Sequence, residues 1–150
     1  MKRLLILFCI SSLLACTNSK TGNKESIQTT AEEHQHEAQK LSLNKGAKWN
    51  SDETTNKNVA ELEAILHRFA NKQPKLTADF ISVANELQTG LDKMIKECRM
   101  QGEDHEALHQ WLEPLIENVG QLKKASDEKK ASTLVDEISE QLNNYHQYFE

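Results

Sequence analysis

The chain of 150 residues carries 18 Lys and Arg against 23 Asp and Glu, a net charge of −5, and has room for one domain plus accessory segments. An acidic chain without a basic stripe excludes nucleic acid as a partner, since binding it requires clustered Lys and Arg to replace counterions. Three cysteines are too few for a disulfide framework to stand in for a core.

Met1-Lys2-Arg3 forms a short positive leader, and Leu4 to Leu14 an apolar stretch well short of the ~20 residues that span a bilayer. The stretch ends in Leu13-Leu14-Ala15-Cys16, which resembles the lipobox of bacterial lipoproteins. That resemblance implies removal of residues 1–15 as a signal peptide and a diacylglyceryl thioether on Cys16, so the membrane is a partner through a lipid anchor. Thr17 follows the cysteine where Asp would signal inner-membrane retention, which points to the outer membrane of the cell envelope.

Residues 16–40 are polar, with Ile27 the one large aliphatic side chain, and lack an apolar period. They read as a flexible tether with a root-mean-square reach of about 25 to 30 Å. Within it, His34-Gln-His36 beside Glu32, Glu33 and Glu37 forms an auxiliary candidate for loose metal binding. Residues 41–51 read as a strap: Leu41 and Leu43 alternate, Asn44-Lys45-Gly46 offers a turn, and Trp49 provides an aromatic anchor.

From Asp52 the apolar period becomes helical. Val59, Leu62, Leu66 and Phe69 recur at spacings of three and four, with Asp52, Thr54 or Thr55 as caps. Gln73-Pro74 interrupts the pattern, and Leu76, Phe80, Val83, Leu87, Leu91, Met94 and Cys98 form the second stripe. Gly90 inside it costs about 1 kcal/mol relative to Ala, or marks a close approach between helices. His105, Leu108, Leu112, Leu115, Val119 and Leu122 make the third stripe, which Pro114 is expected to kink. Ser126-Asp127-Glu128 opens a fourth, with Leu134 or Val135, Ile138, Leu142, Tyr145 and Phe149 inward. Residues 52–150 thus predict an all-α, up-down-up-down four-helix bundle.

In that topology the strap, the end of the second helix, the start of the third and the end of the fourth meet at one end. Cys98, Met100, His105 and His109 gather there, with His146 a weaker addition, while His67 falls at the other end. His105 and His109, four apart, project from one helix face with Cβ atoms about 5 to 6 Å apart. With Cys16 lipidated and Cys9 removed, Cys98 is the lone thiol of the mature chain, in a compartment that favours disulfides. A thiolate, a thioether and two imidazoles suit copper(I), whereas zinc(II) would be satisfied without Met100. Each residue also has a role without metal open to it: Cys98 and His105 continue apolar stripes, Met100 is a common core filler, and His109 can simply face water.

The Leu43-Asn44-x-Gly46-x-Lys48-Trp49 strap and the Cys98-x-Met100-x-Gly102-x-x-His105-x-x-Leu108-His109 turn resemble an uncharacterised family of exported helical proteins from Bacteroidota-type bacteria, over about residues 41–150. That resemblance implies the architecture and no activity. The expected function is a membrane-tethered metal-binding bundle that scavenges or chaperones copper(I). A structural or partner-binding bundle without metal is the alternative. A b-type haem bundle is a weaker one, since Cys-x-x-Cys-His, the attachment motif of c-type haem, does not occur. An enzyme is not expected, because the sequence shows no nucleophile–base set and no glycine-rich phosphate loop.

Overall fold

The computed structural model describes residues 41–73 and 76–150; Cys16, His34 and His36 lie outside the described residues. Four helices follow one another: α1 (Glu53–Ala70), α2 (Thr77–Glu97), α3 (Gly102–Leu122) and α4 (Glu128–Tyr148). Each starts where the local chemistry provides for its free amides. Asp52 caps α1 by accepting from Thr55 N–H at 2.6 Å, and Asp127 caps α4 by accepting from Lys130 N–H at 2.8 Å. Asp79 reaches back to accept from Leu76 N–H at 2.9 Å at the start of α2. α3 begins at Gly102, whose φ of +67° is a left-handed conformation that favours glycine, so the chain can turn abruptly out of α2.

The helices pack α1 on α2, α2 on α3, α3 on α4 and α4 on α1, with α2 also crossing to α4, so α1 and α3 occupy opposite corners. This is the four-helix bundle, and its antiparallel order follows from the ends. Arg99 after α2, Asp104 in α3 and Tyr145 in α4 all bond to residues 50–52 before α1. At the far end Thr77 Oγ1 donates to Glu128 across the starts of α2 and α4.

The core follows the apolar stripes, with Val59, Leu62, Leu87, Leu91, Leu115, Val119, Ile138 and Leu142 among the most enclosed residues. Burial of this kind contributes roughly 1.5 to 3 kcal/mol per large apolar side chain, and it holds helices that would be marginal alone. Trp111 is also fully enclosed, packing edge-on against Tyr145 with ring centres 4.9 Å apart. Its Nε1–H donates to Gln141 O at 3.0 Å, and Gln141 Nε2 returns a bond to Trp111 O at 2.6 Å, clasping α3 to α4. α3 runs without a break through Pro114. Gln110 and Pro114 both lie on the exposed side, where water can serve the carbonyl that proline leaves without an in-helix donor.

The strap docks on the same end as Cys98. A tight turn with positive φ at Lys45 (51°) and Gly46 (94°) returns Ala47 to Asn44 through a pair of 2.9 Å backbone bonds. Trp49 then pairs in parallel with Phe149, giving its N–H to Tyr148 O at 2.7 Å and taking Glu150 N–H at 3.0 Å. Leu41 packs against the core, whereas Leu43 stays 42% exposed. Among the described residues no helix is long and apolar enough to cross a membrane.

Candidate metal centre

The candidate centre is assembled by the short connection between α2 and α3. α2 ends at Cys98, which is extended (φ −55°, ψ 134°), and the chain passes through Arg99, Met100 and Gln101 before Gly102 opens α3. Because α3 starts at Gly102, both His105 and His109 fall in its first two turns, on one face.

Their rings stack nearly parallel, 3° between planes and 4.5 Å between centres, with Nε2 atoms 2.7 Å apart. His105 Nδ1 lies 2.7 Å from Met100 O. A carbonyl can only accept, so Nδ1 carries the proton, and a neutral His105 then presents a bare Nε2. With that tautomer, the 2.7 Å contact requires His109 to be the donor through Nε2–H. A cation in place of this proton would take two bonds of about 2.0 to 2.1 Å, so the two nitrogens would have to part from 2.7 Å and the rings turn to hold it. The bond from Nδ1–H to a backbone carbonyl is the outer-shell contact that commonly orients a metal-ligating histidine. His109 is exposed and His105 half-buried, so the pair is open to solvent.

The Met100 sulfur faces the other way. Met100 is 8% exposed and belongs to the core, its Sδ 3.7 Å from Ser51 Oγ. Ser51 Oγ is 2.6 Å from Tyr145 Oη, which is also 2.8 Å from Asn56 Oδ1. The Cys98 thiol is free and half-buried against the core cluster. Burial, the dominant influence, pushes the Tyr145 phenol up to about 12 despite the Ser51 bond, with Asp52 and Cys98 adding to the rise.

Four residues that the sequence brings together therefore separate into an outward imidazole pair, a Met100 whose sulfur lies in the core while its carbonyl meets His105, and a half-buried Cys98. Among the described residues no three or more His, Cys, Asp or Glu side chains stand close enough to hold one ion. His146 does not join the pair; its Nε2 is 3.0 Å from Glu63 Oε1 on α1.

Sequence reasoning missed several members of this end. Trp111 sits three after Leu108 and four before Leu115, a spacing that places it on the α3 stripe. Asn58, and Thr55 which the sequence offered only as a cap, are buried polar residues of α1 that interrupt an apolar pattern and so escape a search for hydrophobic periodicity. Asn58 Nδ2 donates to Glu97 Oε2 at 3.1 Å, while Asn58 Oδ1 and Thr55 Oγ1 have no hydrogen-bond partner among the described residues. Asp52 was legible as a cap, but its second oxygen also accepts from Arg99 N–H at 3.0 Å. No known protein family, no curated protein and no solved structure matches this chain.

Proposed function

We propose that this protein is a lipid-anchored envelope bundle that binds one metal ion at the junction of α2 and α3. The observation that carries this reading is the convergence of His105 Nε2 and His109 Nε2 to 2.7 Å, with His105 oriented by Met100 O. Two imidazoles held in this way would be the first ligands. Cys98 and Met100 stand on the adjoining segment, and to add a soft sulfur ligand either side chain would have to leave its packing against the core. Copper(I) is the ion such a set selects, whereas zinc(II) would rely on the imidazoles and solvent or thiolate. Scavenging or delivery of copper suits a site on an exposed helix face. The lipid anchor rests on the sequence up to Cys16.

The test is a competition titration of protein purified without an affinity histidine tag, with copper(I) under reducing conditions and with zinc(II). The expected result is uptake of one copper(I) in preference to zinc. His105→Ala and His109→Ala should weaken both ions, and Cys98→Ser should weaken copper most. Met100→Leu should lower copper affinity and leave zinc nearly unchanged, with His67→Ala as the control. Failure to take up either ion would leave Cys98 and Met100 as packing residues and the bundle as a partner-binding one.

A further inference from the structure

The loop that delivers His105 is gripped on two sides. On one side Met100 O takes the His105 Nδ1 proton at 2.7 Å. On the other, two contacts tie it to the strap and one to the cap of α1: Asn50 N–H donates to Asp104 Oδ1 at 3.0 Å, Ser51 Oγ meets Met100 Sδ at 3.7 Å, and Arg99 N–H donates to Asp52 Oδ2 at 3.0 Å. Residues 100 and 104 thus hold the strap, Arg99 holds the α1 cap that follows it, and Met100 also holds the imidazole.

We propose that strap and metal site are thermodynamically coupled: residues 49–52 position the loop that presents His105, and an ion on the imidazole pair tightens the strap in return. The inference rests on the metal reading above and adds a regulatory element to that site. A cation on Nε2 withdraws charge from the ring, which makes Nδ1–H a stronger donor to Met100 O and fixes the loop. Because binding free energies are reciprocal, whatever docks the strap raises ion affinity by the same factor that the ion raises docking. Asp104, one residue before His105, is then a positioning residue rather than a ligand. Since the strap is where residues 41–150 join the preceding segment, occupancy would be reported at the point of attachment of the anchor.

Amide hydrogen exchange on the intact chain, with and without copper(I) under reducing conditions and zinc(II) in parallel, tests this. The amides of Trp49, Asn50 and Ser51 donate to Tyr148 O, Asp104 Oδ1 and Glu150 O, so their exchange reads docking of the strap. Whichever ion binds should slow them about fivefold or more, within the usual range of coupling between sites. Lys130 and Ala131 at the far end should be unaffected. Asp104→Ala should lower ion affinity about fivefold and abolish the slowing, while Asp104→Asn, which keeps an oxygen acceptor, should restore both. An ion that binds while leaving strap exchange unchanged overturns the coupling, as does wild-type affinity in Asp104→Ala. Absence of binding by either ion removes both the metal reading and the coupling.

Discussion

Gly90 of α2 packs against Leu62 of α1 so closely that a Cβ built on the glycine would stand 2.6 Å from Leu62 Cδ2. Leu62 is fully buried, so its methyl has nowhere to go without moving its neighbours. Gly90→Ala gains about 1 kcal/mol of helix propensity but incurs overpacking of about 1 to 3 kcal/mol. The expected outcome in denaturant unfolding is a net loss of about 1 kcal/mol, reduced or reversed when Leu62→Ala is already present. Additive effects of the two substitutions would show that the contact is relieved elsewhere.

Asp52 ties α1 to the loop carrying Met100, and its charge sets an acid limb to stability. Burial pushes its carboxyl up, but hydrogen bonds from the backbone amides of Thr55 and Arg99 outweigh this and hold it below 3.8. A carboxyl lowered in the folded state contributes stability that is present above the unfolded value and lost as pH falls through the folded one. Stability should therefore decline below about pH 4, and Asp52→Asn, which can still cap α1, should flatten that limb. Melting temperatures between pH 2 and 6 provide the comparison.

Tyr145 predicts the opposite limb. Its phenol is raised from 10.0 to about 12, chiefly by burial, so its contribution is complete below pH 10 and lost as pH rises toward 12. Tyr145→Phe should remove this alkaline loss and cost about 1 to 3 kcal/mol at neutral pH, because Ser51 and Asn56 lose a partner. Absorbance titration of the phenolate in the wild type, with Tyr145→Phe subtracted, reads the Tyr145 ionisation directly.

Cys16→Ala should abolish lipid incorporation and membrane association while leaving the bundle folded, since anchor and core lie on separate segments. Labelling with a lipid precursor and circular dichroism of the soluble product measure the two effects. Continued lipid incorporation in the variant would refute the anchor.

The four helices were legible because burial of one face imposes a period on the chain. Val59, Leu62 and Leu66 in α1, or Ile138, Leu142 and Tyr145 in α4, mark that face without reference to any neighbour. Caps were legible for the same local reason: Asp52 bonds an amide three residues away. Direction followed from short connections, which is why one end of the bundle could be assigned Cys98, Met100 and the two histidines in advance.

Side-chain aim was not legible in this way. Spacing alone places His105 and His109 on one face, and the structure brings their nitrogens together, yet nothing in the pattern says that Met100 turns its sulfur toward Ser51 and its carbonyl toward His105. Those bonds join residues 49 and 5 positions apart, and the longer one exists only after strap, α2 and α3 have packed. The sequence determined the helices, the caps of α1 and α4 and which chemical groups share an end of the bundle, because these depend on local periodicity and chain connectivity. Only the tertiary structure decided that the imidazoles face outward as a pair, the Met100 sulfur inward, and the strap grips the loop between them, because each depends on contacts among segments far apart in the chain.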